Sequence, residues 1–590
     1  MTEPRATDQA AGGDAGGYSK DYWDQVFEQL GKRTLFKVAL AILAVLYASA
    51  IYAPLIANDR PFVLEAINYK EYGQAHRTLY PVTLGLNSLA KKSPEEYLED
   101  RTEGSTQTFD EALSAELAAA SGRVELMLSY LPEEAEGRAV LAEYMTKVEA
   151  GIAAARARDT ETATATMKEV KDVAKRIRAE LAPPDLDDPE AEGLELIGQK
   201  SYPLWESVSA WEIFFMVLWA LVLLWPLWNR AWNALLLRGD RARIRRHRRL
   251  KWALVLGLSL LAAGGWKATI DGSLNFAAAP YKAALTSGEI VATRAVFPPV
   301  TFGFAETSSG EFFRPPTWSD KAEIDDEGYY VRGPRVPEPD VITGILPDPA
   351  PVEVRHGEPD RNAKWRRPLG TDSLGRDFLV RALWGGRISL SVGILSAAIL
   401  LVIGTVVGAI AGYFGGWVDF LLSRFIELLL CFPVFFLILL VVSVVPPDFV
   451  PPIFLIVVVI GLIRWTGVAR LARGEFLKLR ESEFVIASEA LGLSPARTIF
   501  RHILPNAMGP VLVSGAFSVA AGILTESGLS FLGFGVNEPI PSWGALVNES
   551  RNPEHWWVIL FPGLLIFVTV SCYNLVGEAL RDAVDPRLKD

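Results

Sequence analysis

Apolar runs of about 20 residues, enough to cross a bilayer, alternate along this chain with charged or proline-rich stretches, without the regular polar faces of soluble core elements. The pattern predicts eight transmembrane helices: Val38–Ala57, Val208–Trp228, Trp252–Trp266, Ile388–Tyr413, Phe425–Val445, Phe454–Val468, Met508–Phe534 and Trp556–Gly577. Lys32, Arg33 and Lys37 precede the first run and Asp59 follows it, which places the amino terminus in the cytoplasm. Ala48-Ser49-Ala50 imitates a signal-peptidase site, yet an apolar stretch behind a long polar leader is the better anchor. The second and third runs are weaker: one carries Glu212 and the other is short, so both could lie in the membrane interface instead. Between them Arg230 to Lys251 holds nine Lys or Arg against one acid, Asp240, which favours a crossing hairpin with its loop inside. Trp205, Trp211, Trp225, Trp228, Trp252 and Trp266 cluster near the expected ends, as an aromatic belt would. Threading from an inside amino terminus then places Arg470 through Arg501 and the carboxyl end with Arg581, Arg587 and Lys589 in the cytoplasm, and Pro446 to Pro452 outside.

Two long polar segments fall outside. From Pro94 to Gln199 there are 25 Asp or Glu against 11 Lys or Arg. Leu113, Leu117, Val124, Leu128 and Leu131 mark one helical stripe; Leu141, Tyr144, Val148 and Ile152 a second; Met167, Val170, Val173 and Ile177 a third. Punctuated by Pro132 and Pro183-Pro184, they predict a small bundle or antiparallel hairpin that serves as a spacer or docking domain. The second segment, Ala268 to Arg367, is rich in Pro, Gly, Asp and Glu and is expected to be mostly irregular, with short strands around Tyr329-Tyr330-Val331.

Composition narrows the function. Half of the 590 residues are apolar and the mean hydropathy is +0.22, so a single water-soluble domain is excluded; a net charge of −11 excludes a nucleic-acid binder on bulk electrostatics. Cys431 and Cys572 both sit in apolar runs, and His76, His247, His356, His502 and His555 are scattered, so there is neither a disulfide framework nor metal-ligand spacing. No G-x-x-x-x-G-K-[ST] loop is present to hold nucleotide phosphates. No catalytic group, cofactor or metal is expected.

The stretch Glu481 to Asn506 carries the most specific signal. Phe484, Ala487 and Leu491, then Ile499 and Ile503, recur at helical spacing on either side of Gly492-Leu493-Ser494-Pro495. This predicts two short helices with a sharp corner: Gly492 as a left-handed cap, Ser494 capping the second helix, Pro495 in its first turn, and Leu504-Pro505 ending it. Such a corner is shaped either to enter a groove on another protein or to serve as a plain amphipathic connector.

These residues resemble the EAA coupling loop of ABC importer permeases, specifically the dipeptide/oligopeptide/nickel branch. Gly492, Ala487, Leu504 and Pro505 match the family pattern, whereas Ile486 stands in the position of its glutamate and Ser488 in that of its second alanine, with Glu489 out of register. Further matches follow in order: Pro368-Leu-Gly-Thr-Asp-Ser-Leu-Gly-Arg-Asp377, Gly412-Tyr-Phe-Gly-Gly-Trp417, Ser530-Phe-Leu-Gly-Phe-Gly535 and Pro541-Ser-Trp-Gly544. The resemblance covers about Pro368 to Arg587 and the first apolar run with its Ala53-Pro54-Leu55 exit; between Asn58 and Arg367 this chain departs from it with two extra spans and two added outer segments.

The residues also admit direct readings. Asp372 or Thr371 can cap a short amphipathic helix with Leu374, Phe378 and Leu379 toward lipid, after which Gly385-Gly386 allows a bend into the span at Arg387. Gly404, Gly408 and Gly412, four residues apart, allow close approach of a neighbour, either a second permease subunit or another span of this chain. Glu526 lies inside an apolar run and is a translocation-pathway candidate, with a structural role as the alternative.

The expected fold is an all-α polytopic membrane protein with about eight transmembrane helices, an ABC importer-type permease core and an inserted extracytoplasmic helical domain. Its parts are residues 1–37, a cytoplasmic segment; 38–57, the first transmembrane helix; 58–207, the acidic helical domain outside; 208–266, the extra hairpin with its basic cytoplasmic loop; 267–367, the outer Pro/Gly-rich segment; and 368–590, the permease core with five spans and the coupling loop. The resemblance implies a permease subunit in the bacterial inner membrane, with both termini cytoplasmic, moving peptides or similar small polar solutes. It also implies a sister permease, cytoplasmic ATPase subunits meeting Ala487, Ser488, Glu489, Ala490, Leu491, Gly492, Leu493, Ser494 and Pro495, an extracytoplasmic solute-binding protein, and surrounding lipid. The rivals are a secondary transporter or channel, which would need charged or broken helices at mid-membrane, and a membrane-anchored scaffold whose acidic domain is the working part.

Overall fold

Most of the apolar runs fold into helices longer than the runs themselves. The computed structural model describes residues 22–99, 107–183, 194–235, 241–270, 281–308, 312–316, 323–324, 330–331, 367–446 and 450–584. The first 21 residues, the loop at 236–240, Tyr329, most of 309–366, and Arg587 with Lys589 lie outside them. Among the described residues six helices are long and apolar enough to cross a membrane, and two bent helix pairs pass the same test together. The chain divides into two units, one comprising Met1–Tyr52 with Thr307–Asp590 and the other Ala53–Glu306.

In the first unit the spans are Thr34–Ile51, Phe378–Phe414, Pro452–Arg480, Leu504–Phe531 and Trp556–Val584. The expected span Phe425–Val445 is two helices, Gly416–Leu430 and Val434–Val444, bent by 78°. Pro433 sits at the break, where it has no N–H to continue the first helix and restricts Phe432 before it.

The expected short helix and bend ahead of Arg387 do not form. A single helix of 37 residues begins at Phe378, capped by Asp377, whose carboxylate accepts from the Val380 N–H at 2.9 Å. Phe378 is buried rather than turned to lipid. Asp372 is committed elsewhere: it accepts from the backbone of Leu374 and Arg376 and pairs with the Arg376 guanidinium at 2.6 Å and with Arg381 at 3.0 Å. Glu538 and Glu549 complete this cluster on Arg376 and Arg381. Gly385 and Gly386 make room for Trp543, to which a Cβ on Gly386 would come within 3.1 Å.

Gly404, Gly408 and Gly412 have their neighbour within the chain. A Cβ at Gly404 would lie 2.7 Å from Val468 Cβ, and one at Gly412 2.6 Å from Phe476 Cβ, both on the Pro452–Arg480 helix. Every fourth residue of one helix thus lets the backbones of two long spans meet, as small residues do where lipid supplies no hydrophobic drive.

In the second unit four helices pack together: Tyr69–Ala90, Phe109–Tyr130, Glu136–Arg156 and Thr160–Glu180. Leu113, Val124 and Leu131, then Leu141, Tyr144, Val148 and Ile152, then Met167, Val170, Val173 and Ile177 all enter its core, with Leu117 and Leu128 at the margin. The first helix extends the bundle upstream of Pro94, contributing Tyr72, Leu79 and Leu86, and the Thr83 hydroxyl meets the Tyr144 hydroxyl at 2.8 Å. Thr108 and Glu111 cap the second helix reciprocally.

A three-stranded antiparallel sheet, order Gln199–Ser201, Val63–Asn68, Ile290–Val296, gathers the entry and exit of the bundle; the third strand lies in the segment expected to be mostly irregular. Leu64 and Ala66 alternate inward onto Ala284 and Ile290. Glu323–Ile324 and Tyr330–Val331 form a separate strand pair in the first unit.

The expected span Val208–Trp228 is also broken. Ala210–Leu223 and Trp225–Ala234 meet at 61°, next to Pro226, while Arg241–Thr269 is one helix. The tryptophans gather at two ends, Trp205 with Trp266 at one and Trp225 with Trp228 and Trp252 at the other.

Candidate functional site

The corner is built by the helix Glu483–Ala490 and the turn that stops it. Gly492 has φ +75°, a left-handed conformation that a side chain strains. The Leu493 N–H donates to the Ser488 carbonyl at 3.2 Å and the Gly492 N–H to the Glu489 carbonyl at 2.9 Å, the paired bonds that close a helix at such a glycine. Ser494 occupies the cap position before Pro495, but its side chain makes no capping bond.

Beyond Pro495 the structure departs from expectation. Leu504-Pro505 does not end the second helix: Pro495–Arg497 passes through a wide turn, Thr498–Ile503, straight into Leu504–Phe531. Pro505 sits in the first turn after the wide segment, and Pro510 lies inside the same helix, so neither proline stops it.

The corner is held from one side only. Val485, Ile499 and Ile503 pack on Ala409, Phe476 and Ala507. Ser488 is buried, donating to the Val485 carbonyl at 2.7 Å and lying 3.5 Å from the Thr498 hydroxyl, so the serine in place of alanine serves an internal contact. Glu489 accepts from the Tyr413 hydroxyl at 3.1 Å, and Arg480 donates to the Tyr413 carbonyl at 3.1 Å. Arg473 pairs with Asp419 through both carboxylate oxygens. The other side is bare: Leu491 is 81% exposed and Ile486 56%, with Phe484, Ala487, Ala490, Gly492, Ser494 and Pro495 exposed and Leu493 half-buried.

Glu526 is fully buried. Ser389 and Ser530 donate to its two oxygens at 2.8 and 2.7 Å, and Ser527 lies at 3.4 Å. Because Ser389 also accepts from the Trp543 N–H at 3.2 Å, the carboxylate links the Phe378–Phe414 and Leu504–Phe531 helices with the Trp543–Asn548 turn.

A cavity of about 870 Å³ lies instead along Pro452–Arg480 and Leu504–Phe531, walled by Arg464, Glu475, Lys478, Ser514, Ser518 and Arg581 among others, and not by Glu526. Arg464 belongs to the run Phe454–Val468, where a cation inside apolar sequence was the available signal and went unread. Its Nη1 donates to the Ala521 carbonyl at 3.1 Å and to the Thr525 hydroxyl.

Outside the spans, Glu538 is held below the usual carboxylate range by its bond from Arg376, at 3.0 Å.

Residues 404–590 match the family described as binding-protein-dependent transport system inner membrane component. The chain is similar to the oligopeptide transport system permease protein OppC of Haemophilus influenzae, 46% identical over 221 residues, or 37% of this chain and 70% of that one. It is 39% identical over 223 residues to the dipeptide permease DppC of Alkalihalophilus pseudofirmus, covering 38% and 72%, and 38% identical over 239 residues to the glutathione permease GsiD of Pectobacterium atrosepticum, covering 40% and 76%. Long spans in a glycine-lined seam and a rigid projecting corner are therefore the parts of an ABC importer's membrane permease, a transport subunit and not an enzyme. The chain belongs to the OppC/DppC family of permeases.

Proposed function

We propose that this permease carries peptides or similarly small polar solutes, forming the pathway together with a sister permease. An extracytoplasmic solute-binding protein delivers the solute, and cytoplasmic ATPase subunits supply the energy. The observation that carries the coupling role is the corner itself: Ile486 and Leu491 stand exposed at the end of one short helix, across the Gly492 turn from Pro495, which runs without a break into the Leu504–Phe531 helix. A groove on the ATPase that takes residues 487–495 can pull on that helix, because no flexible linker intervenes. Ile486 then meets the partner by apolar contact where other family members place a glutamate.

Both termini and the corner lie on the cytoplasmic side in this reading, with the loop between Arg230 and Lys251 inside and the acidic bundle outside. The bundle's excess of 25 acids over 11 bases between Pro94 and Gln199 suits it to steer the arriving binding protein. The enclosure of Glu526 by serine hydroxyls supports its role as a structural tie between helices in preference to a pathway residue.

ATP-dependent uptake of a labelled peptide into vesicles, with and without the sister permease and the ATPase, tests the whole. Uptake that persists without the ATPase would leave a secondary transporter as the better account. A cysteine at Arg241 that an impermeant reagent labels from outside intact cells would overturn the assigned sidedness.

A further inference from the structure

Arg464 stands 12 residues after Pro452, about 18 Å along the axis at ~1.5 Å per residue, and six before Arg470, where the cytoplasmic part of the helix begins in this reading, so it lies in the inner half of the apolar run. A guanidinium at that depth must face protein or water, and it walls the cavity of about 870 Å³, within the range of small-ligand sites. Among the described residues no carboxylate lies within ion-pair distance of it, and its hydrogen bonds run from Nη1 alone, to Ala521 and Thr525. Ser514, Ser518 and Ala521 recur at helical spacing on Leu504–Phe531, so small side chains, two of them hydroxyls, share the cavity wall with the cation beside Val513 and Phe517. Glu526, next in sequence to Thr525, is occupied by serines and does not neutralise Arg464.

We infer that Arg464 receives the carboxylate of the solute in transit, the terminal carboxylate when the solute is a peptide. The inference rests on the peptide-import reading above and deepens it. A planar guanidinium fork matches a carboxylate through two parallel bonds, and leaving one edge turned to the cavity makes the pair reversible as the helices move. A cation held within an apolar run, with no carboxylate partner among the described residues, is costly for a purely structural tie, which an uncharged side chain could supply.

The test uses the full complex in proteoliposomes, with labelled trialanine and trialanine amide each presented on saturated binding protein. The parental complex is expected to favour the free carboxylate. Arg464→Gln should lower trialanine uptake by roughly tenfold or more, the loss of a charge-assisted pair, while the amide stays within about twofold. Equal loss for both probes, or no loss for either, overturns the inference and leaves Arg464 a helix tie. Where the glutamine variant does not assemble, Arg464→Lys decides: it must keep a reduced preference for trialanine, and a ratio equal to the parental one overturns the fork. A parental complex that takes up neither probe with ATP overturns the peptide-import reading itself, and the inference with it.

Discussion

At Gly408 a Cβ would collide with the Ala469 carbonyl and lie 2.7 Å from Ala472 Cβ, whereas at Gly492 it would meet nothing within 4 Å. The first glycine belongs to the seam between two long spans, the second to the exposed corner. In the seam the backbone is ordinary helix and volume is forbidden; in the corner volume is free and the backbone, at φ +75°, is what excludes other residues. One part of the molecule is intolerant of size, the other of conformation, and substitutions can separate the two.

The largest effect belongs to the seam. Gly408→Leu forces apart the Phe378–Phe414 and Pro452–Arg480 helices, and overpacking at such a contact costs about 3 kcal/mol or more. The expected outcome is little folded, monodisperse protein on size-exclusion chromatography, and a parental melting temperature would show that the seam has slack. Glu526→Ala comes next, since it strips the acceptor from Ser389 and Ser530 in a closed site, at about 2–3 kcal/mol for two buried donors left unmade. Thermal unfolding in detergent reads it. If the melting temperature holds while uptake falls, the carboxylate acts in transport and not as a tie.

Gly492→Val should leave stability nearly untouched, with a strain of about 1–2 kcal/mol confined to the corner, yet abolish solute-stimulated ATP hydrolysis and reduce the ATPase that co-purifies. Gly492→Asn, which tolerates the left-handed region, should keep both. A valine variant at parental coupling would reduce the corner to a connector. The smallest effect is at Glu538, whose pKa is depressed in the fold by Arg376. Its contribution is present above the carboxyl's unfolded value of about 4.3 and is lost as pH falls through the lower folded value. Because the side chain is 60% exposed, the melting difference between parent and Glu538→Gln should be slight at pH 7 and vanish in strong acid.

The corner was legible in sequence because Gly492 and Pro495 punctuate it, and the bundle because its stripes keep a 3.6-residue period. Its first helix was missed although Tyr72, Leu79 and Leu86 hold the same spacing, since the acidic composition that drew attention starts later. Two spans were drawn straight through Pro226 and Pro433, where apolarity outweighed the missing N–H groups. Conversely a bend was expected at Gly385-Gly386, yet those glycines receive Trp543, a partner far along the chain that no local pattern announces. Arg464 and Glu526 carry the same sequence signal, a charge within an apolar run. Their surroundings distinguish them: serines enclose one, Ser527 and Ser530 from its own helix and Ser389 from another, while the other borders a cavity.

The three-stranded sheet also sets an order of assembly. Thr293 donates to the Glu65 carbonyl across 228 residues, so Ile290–Val296 can pair only after the bundle and the three helices between Ala210 and Thr269 have been synthesised. The bundle, by contrast, draws its apolar core from one continuous stretch, and later sequence adds only polar contacts at the start of its first helix, where Glu289 meets Tyr69 and Lys70. Ribosomal synthesis therefore delivers the whole apolar core of the helical body first. Val63–Asn68 waits with one edge unpaired until Ile290–Val296 emerges, an interval in which that edge is open to any other extended chain nearby.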